Sequence, residues 1–141
     1  MKSKFKLFAI TFVVVLGLSL GGCNSTSEIP DDLHGIWNWS QGPKLITIVI
    51  DSTTIRYSES SAGDFDDNGS FTITVSKVSP VRTPAKLRKG FPNGYSLKGK
   101  ITSSSVPNKP SGYEGSVNIY FNTAKSHFIH NINDDRTFAK K

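Results

Sequence analysis

From residue 33 to the C-terminus, apolar and polar side chains alternate with a period of two, which confines this part of the chain to half-buried β-strands. Phe71, Ile73 and Val75 alternate with Ser70, Thr72, Thr74 and Ser76. Tyr95, Leu97 and Ile101 alternate with Ser96, Lys98, Lys100 and Thr102, and Val117, Ile119 and Phe121 with Ser116, Asn118, Tyr120 and Asn122. Leu45 to Ile50 is apolar except for Thr47, and Asp51-Ser52 turns it into a strand over 53–58, a hairpin pattern. Further strands are expected over 34–40, 126–132 and 135–140. About eight short strands joined by polar turns predict an all-β fold. A small antiparallel up-and-down barrel is favoured, with a β-sandwich as the alternative. Trp37 and Trp39 share one face of the first strand, and Phe71, Tyr95, Phe121, Phe128 and Phe138 fall in inward registers. They are the expected core. Whether that interior is filled or hollow turns on a few side chains.

One segment breaks the alternation. Thr83-Pro84 followed by Ala85 to Lys89 and then Gly90 carries an N-cap residue, Pro at the first helical position and Gly past the end. These signals predict a short helix near 84–89, with Thr83 as its cap. Ser103 to Gly112 is rich in Ser, Pro and Asn and reads as a loop.

The first 32 residues are a different kind of sequence. Lys2, Lys4 and Lys6 precede an almost wholly apolar run from Leu7 to Leu20, the build of a secretory signal and too short for the ~20 residues that span a bilayer. Leu20-Gly21-Gly22-Cys23 then resembles the lipobox of bacterial lipoprotein precursors. That resemblance implies cleavage between Gly22 and Cys23, with Leu20, Gly21 and Gly22 recognised by the signal peptidase, and lipidation of Cys23 through a diacylglyceryl thioether. More than one acyl chain on the first mature residue would anchor the protein stably to a membrane, at ~0.8 kcal/mol per buried CH₂. Residues 1–22 are therefore expected to be a signal peptide, 23–32 the lipidated cysteine and a polar tether, and 33–141 one antiparallel β domain. Asn24 is not the Asp that favours inner-membrane retention in Gram-negative sorting, and the choice between cell membrane and outer membrane stays open.

Gly35-Ile36-Trp37, opening the first strand, resembles the G-x-W signature of lipocalins and related ligand-binding barrels. The resemblance implies a Trp that plugs one end of the barrel and a late Arg across it, a role that Arg136 could take. Trp37, Trp39 and Arg136 are accordingly the candidate ligand-binding and plug residues. The expected ligand is small and apolar.

The charge pattern suggests a second mode of action. The chain carries 17 basic against 11 acidic residues, but the three leader lysines leave with the signal and the mature net charge is +3, modest for a nucleic-acid binder. No nucleic-acid partner is expected. Residues 77–100 nevertheless hold Lys77, Arg82, Lys86, Arg88, Lys89, Lys98 and Lys100 with no acid. Lys86, Arg88 and Lys89 are the candidate contacts to anionic lipid, wall polymer or another envelope partner.

Asp64, Asp66 and Asn68, followed by Gly69, match the opening of a calcium loop, but the twelfth position is Val75, where a bidentate Glu belongs. His127 and His130 are three apart, which on a strand points them to opposite faces. One cysteine excludes an intrachain disulfide and any Cys-rich zinc site. No nucleophile elbow or activated carboxylate pair stands out. Neither enzyme activity nor a cofactor is expected.

Overall fold

The computed structural model describes residues 26–61, 69–130 and 136–141. A 3-10 turn, Asp31–Leu33, leads into eight strands: β1 (Gly35–Gln41), β2 (Lys44–Ile50), β3 (Thr54–Ser61), β4 (Gly69–Val81), β5 (Asn93–Ser104), β6 (Glu114–Phe121), β7 (His127–His130) and β8 (Thr137–Lys140). Each pairs antiparallel with the next, and β8 returns to β1 through Trp37↔Lys140 and Asn38↔Ala139 to close the barrel. Closure removes the free edges that a small open sheet would expose. This is the expected up-and-down barrel, and the sandwich is excluded. The hairpin turn at Asp51-Ser52 and the loop after Ser104 fall where the turn residues put them.

The alternation in the sequence is the inside-outside alternation of the barrel wall. On β2, Ile46, Ile48 and Ile50 are buried while Leu45 stands outside, 41% exposed. Ile55, Val75, Leu97, Ile119, Phe121, Phe128 and Phe138 complete the inner surface. Two departures have local causes. Tyr120 occupies an outward register yet is buried, because it lies over Gly94, where a Cβ would come within 3.1 Å of the Tyr120 ring and 2.6 Å of the Val81 carbonyl oxygen. On the β4–β5 ladder, the register shifts between Val75 and Lys77, placing Ser76 and Lys77 both on the outside. Gly99 lies opposite that bulge, and a Cβ there would sit 2.5 Å from the Thr74 carbonyl oxygen.

One end of the barrel is sealed by the chain leading into β1. β3 starts only at Thr54, so β4 beyond Thr74 has lost its neighbour on that side. The N-terminal segment fills the gap: Thr26 and Val78 exchange backbone hydrogen bonds of 2.9 and 2.5 Å, and the Ile29 amide donates to Ser52 at 2.7 Å. Ile29 and Leu33 then drop into the core. Trp37, fully buried, donates its indole N–H to the Leu33 carbonyl at 3.2 Å. It meets Phe121 and Phe128 edge-on at 5.4 and 5.0 Å, and Phe128 stacks on Phe138 at 4.9 Å. Such ring pairs add about 0.5–1.5 kcal/mol each beyond the area they bury. The His34 ring bonds the Ile29 carbonyl at 2.9 Å, and Lys125 pairs with Asp32, tying the seal to neighbouring connections.

The short helix is α1 (Ala85–Arg88), with Gly90 just beyond it as expected, but its cap is not Thr83. The Thr83 hydroxyl donates instead to the Pro92 carbonyl at 3.0 Å, pinning the two ends of the β4–β5 connection together, and no side chain caps the helix. With Pro84 supplying no N–H, the first turn has one fewer donor to satisfy.

Candidate functional site

Opposite the seal the barrel is hollow. A cavity of about 820 Å³ opens between the far ends of the strands, within the range of small-molecule sites. Its walls are apolar, with Ile48, Ile55, Ile73, Leu97, Ile101 and Val117 among them, and Phe128 also borders it. Val106, Lys109 and Tyr113 from the β5–β6 connection contribute to the mouth. The period-two pattern explains both properties. It delivers Ile, Leu and Val to the interior, and on this half it delivers few of the rings that fill the sealed end.

Three polar groups that interact with one another border the cavity: Tyr57 and Glu59 on β3 and Arg136 just before β8. Ile55, Tyr57 and Glu59 follow one another on the inward face of β3. The Tyr57 hydroxyl donates to the Glu59 carboxylate at 2.5 Å, and Lys44 forms an ion pair with the same carboxylate. Burial alone would raise the Glu59 pKa, but Lys44, Tyr57 and Arg136 outweigh it and hold the carboxyl below its usual value. Burial, reinforced by the Glu59 carboxylate, pushes the Tyr57 phenol well above its ordinary range. Glu59 is thus a fixed anion and Tyr57 a fixed neutral donor. A carboxyl held ionised in this way is not poised as a general acid, which needs its pKa raised. The Tyr57 ring stacks on Phe71 at 4.8 Å, and Lys109 sits 5.5 Å from the Phe71 ring centroid.

The residues expected from the sequence separate between the two ends. Trp37 belongs to the seal and does not border the cavity. Trp39, two residues on, lies at the mouth, where it shares a shallow groove with Ser40, Gln41 and Arg136. Arg136 precedes β8 and lines the cavity, but its guanidinium lies over Trp39 at 5.7 Å, not over the buried Trp37. The cation over Trp37 is Lys140, at 5.3 Å. The expected crossing of Trp37 by Arg136 is therefore corrected. With a strand period of two, Arg136 and Lys140 lie on one face two pairs apart, so each meets a different tryptophan.

His127 and His130 do point to opposite faces. His127 is exposed, whereas His130 borders the cavity and stacks on Phe138 at 5.5 Å. Lys86, Arg88 and Lys89 are exposed at the sealed end, where Arg88 also donates to the Thr83 carbonyl at 3.3 and 3.4 Å. Leu20, Gly21, Gly22 and Cys23, and the calcium candidates Asp64, Asp66 and Asn68, lie outside the described residues. Among the described residues no cluster of three metal-ligating side chains occurs, and no helix is long and apolar enough to cross a membrane.

Tyr57 and Glu59 were not among the residues singled out from the sequence. A signal was present: continuing the Ile55-Tyr57 alternation one step puts Glu59 in the inward register, and an acid there marks a special position. Comparison with protein-family models, curated proteins and solved structures finds no match to this chain.

Proposed function

We propose that this protein is a lipid-anchored, extracytoplasmic binding protein whose barrel takes a small, largely apolar ligand through its open end. The observation that carries the reading is the cavity of about 820 Å³, walled by aliphatic side chains and bounded below by an aromatic seal. An unfilled apolar volume of this size forfeits dispersion contacts and costs stability, so a barrel built only as a scaffold would gain by filling it. Tyr57, Glu59 and Arg136 supply a few fixed polar groups against which a ligand would orient. The lipobox at Leu20 to Cys23 supports the anchor and the extracytoplasmic location.

Binding is tested with the neutral apolar fluorophore N-phenyl-1-naphthylamine added to the purified protein. Uptake should enhance the probe's emission and quench Trp39, which lies at the mouth, and Ile101→Trp should weaken uptake at least tenfold by obstructing the cavity. Equal uptake by this variant would refute the reading. The anchor is tested separately: Cys23→Ser should leave an unlipidated, unprocessed precursor, and normal maturation of that variant would overturn the lipobox assignment.

A further inference from the structure

We propose that the sealed end of the barrel is a docking face for an anionic bilayer, so that the protein stands on its membrane with the mouth directed away. The proposal rests on the lipid-anchor reading for its leash and on the following geometry for its face.

The Thr26–Val78 bridge fixes where the chain joins the barrel: on the outer part of β4, beyond the start of β3. Cys23 is three residues upstream, and three residues of chain span at most about 11 Å. The anchor is thus confined to the neighbourhood of the C-terminal end of β4. The basic segment runs from the wall beside this junction, where Lys98 lies midway along β5, down to the sealed end. Lys77 adjoins Val78, and Lys98 faces Lys77 directly across the β4–β5 ladder. Arg82 follows β4, and Lys86, Arg88 and Lys89 lie on or just after α1 in the same connection. All six are exposed.

Their surroundings do not neutralise them. Like charges directly opposite on neighbouring strands destabilise a sheet, and the Lys77↔Lys98 pair has no carboxylate between or beside it on the ladder. Of the four described acids at this end, Asp32 is paired with Lys125 and Asp51 lies 3.7 Å from Arg56, leaving Glu28 and Asp31 on the N-terminal segment. The cavity opens at the opposite end, so a face pressed to headgroups would not obstruct it. A cationic face beside a lipid anchor matches an anionic leaflet. Each basic residue near such a surface strengthens association by roughly fivefold.

Cys23 is the chain's one cysteine, and lipidation consumes its thiol, so an introduced cysteine is a unique label site in the mature protein. Ala85→Cys marks the sealed end and Gln41→Cys the mouth, both at exposed positions. Each is labelled with bimane and reconstituted in phosphatidylcholine vesicles with or without 30% phosphatidylglycerol, carrying a headgroup spin-labelled lipid as quencher. Strong quenching at position 85 and little at 41, dependent on phosphatidylglycerol and relieved by 0.5 M salt, is the expected result. Reversing Lys86, Arg88 and Lys89 to Glu should weaken docking by at least about a hundredfold. Lys77→Ser with Lys98→Ser should weaken docking while raising the melting temperature, which a purely structural role for these lysines does not predict. Equal quenching at both positions, or indifference to lipid charge, would overturn the proposal, as would preference for isolated cell-wall polymer over these vesicles. If the mass of the mature protein shows no acyl chains, the anchor reading fails alone. Cosedimentation of the unlipidated protein with the same vesicles, with and without the charge reversals, then decides the docking face.

Discussion

At the sealed end Trp37, Phe121, Phe128 and Phe138 interlock ring against ring, while at the mouth Tyr57 and Phe71 stack beside open volume. The same strands run through both ends, so the difference lies in which side chains the inward registers deliver. Aromatic residues concentrate where the barrel must close, and aliphatic residues line the part left hollow. Polar groups follow the same division. Those of the seal satisfy backbone atoms, as with the Trp37 indole on Leu33 and the His34 ring on Ile29. Those of the mouth, Lys44, Tyr57, Glu59 and Arg136, act chiefly on one another and border the cavity or its rim. A hollow barrel stays folded when one end carries the packing and the other carries the chemistry.

Substitutions at the two ends should therefore differ in kind. Trp37→Ala removes the centre of the seal and should cost about 3–5 kcal/mol, a large share of the ~5–15 kcal/mol that holds a domain folded, as read by urea denaturation. A loss below about 1 kcal/mol would mean that the seal is not the stabilising half. Ile101→Trp at the cavity wall should reduce apolar-probe binding at least tenfold while costing no more than about 1–3 kcal/mol. Thr26→Pro deletes the donor to Val78 and should cost about 1 kcal/mol, with faster hydrogen exchange at Val78 and Ile29 as the local signature.

The smallest effects should come from the charges at the mouth. The Glu59 pKa is lower folded than unfolded, so its contribution is present above its ordinary value of 4.5 and lost as the pH falls through the folded value. Glu59→Gln should flatten the acid limb of the stability curve by less than about 1 kcal/mol, as befits a partly solvated pair. Tyr57 behaves with the opposite sign. Its raised pKa keeps the folded phenol neutral after the unfolded one ionises near 10.0, so stability declines above that pH. Tyr57→Phe should remove that component of the alkaline decline, seen in thermal melts above pH 10.

The barrel was legible in the sequence because a strand period of two is local: Phe71-Ile73-Val75 and Val117-Ile119-Phe121 declare their faces without reference to the rest of the chain. What depends on distant partners was not. Thr83 has the chemistry of a cap, but its partner is Pro92, across the connection. Arg136 and Lys140 are both cations two registers apart, and only the closing β1–β8 register decides which covers which tryptophan. The cavity lies furthest from the sequence, since its volume is what the sum of the side chains fails to fill.

The twelve residues of β5 run from the sealed end to the mouth. At about 3.3 Å per residue and a tilt near 40°, they set the two ends roughly 30 Å apart along the barrel axis. That is about three Debye lengths in 0.1 M salt. Were the sealed end to rest on headgroups as proposed, the mouth would stand outside the electrical double layer of that membrane. Capture of a ligand would then be indifferent to the lipid composition that governs how firmly the barrel stands.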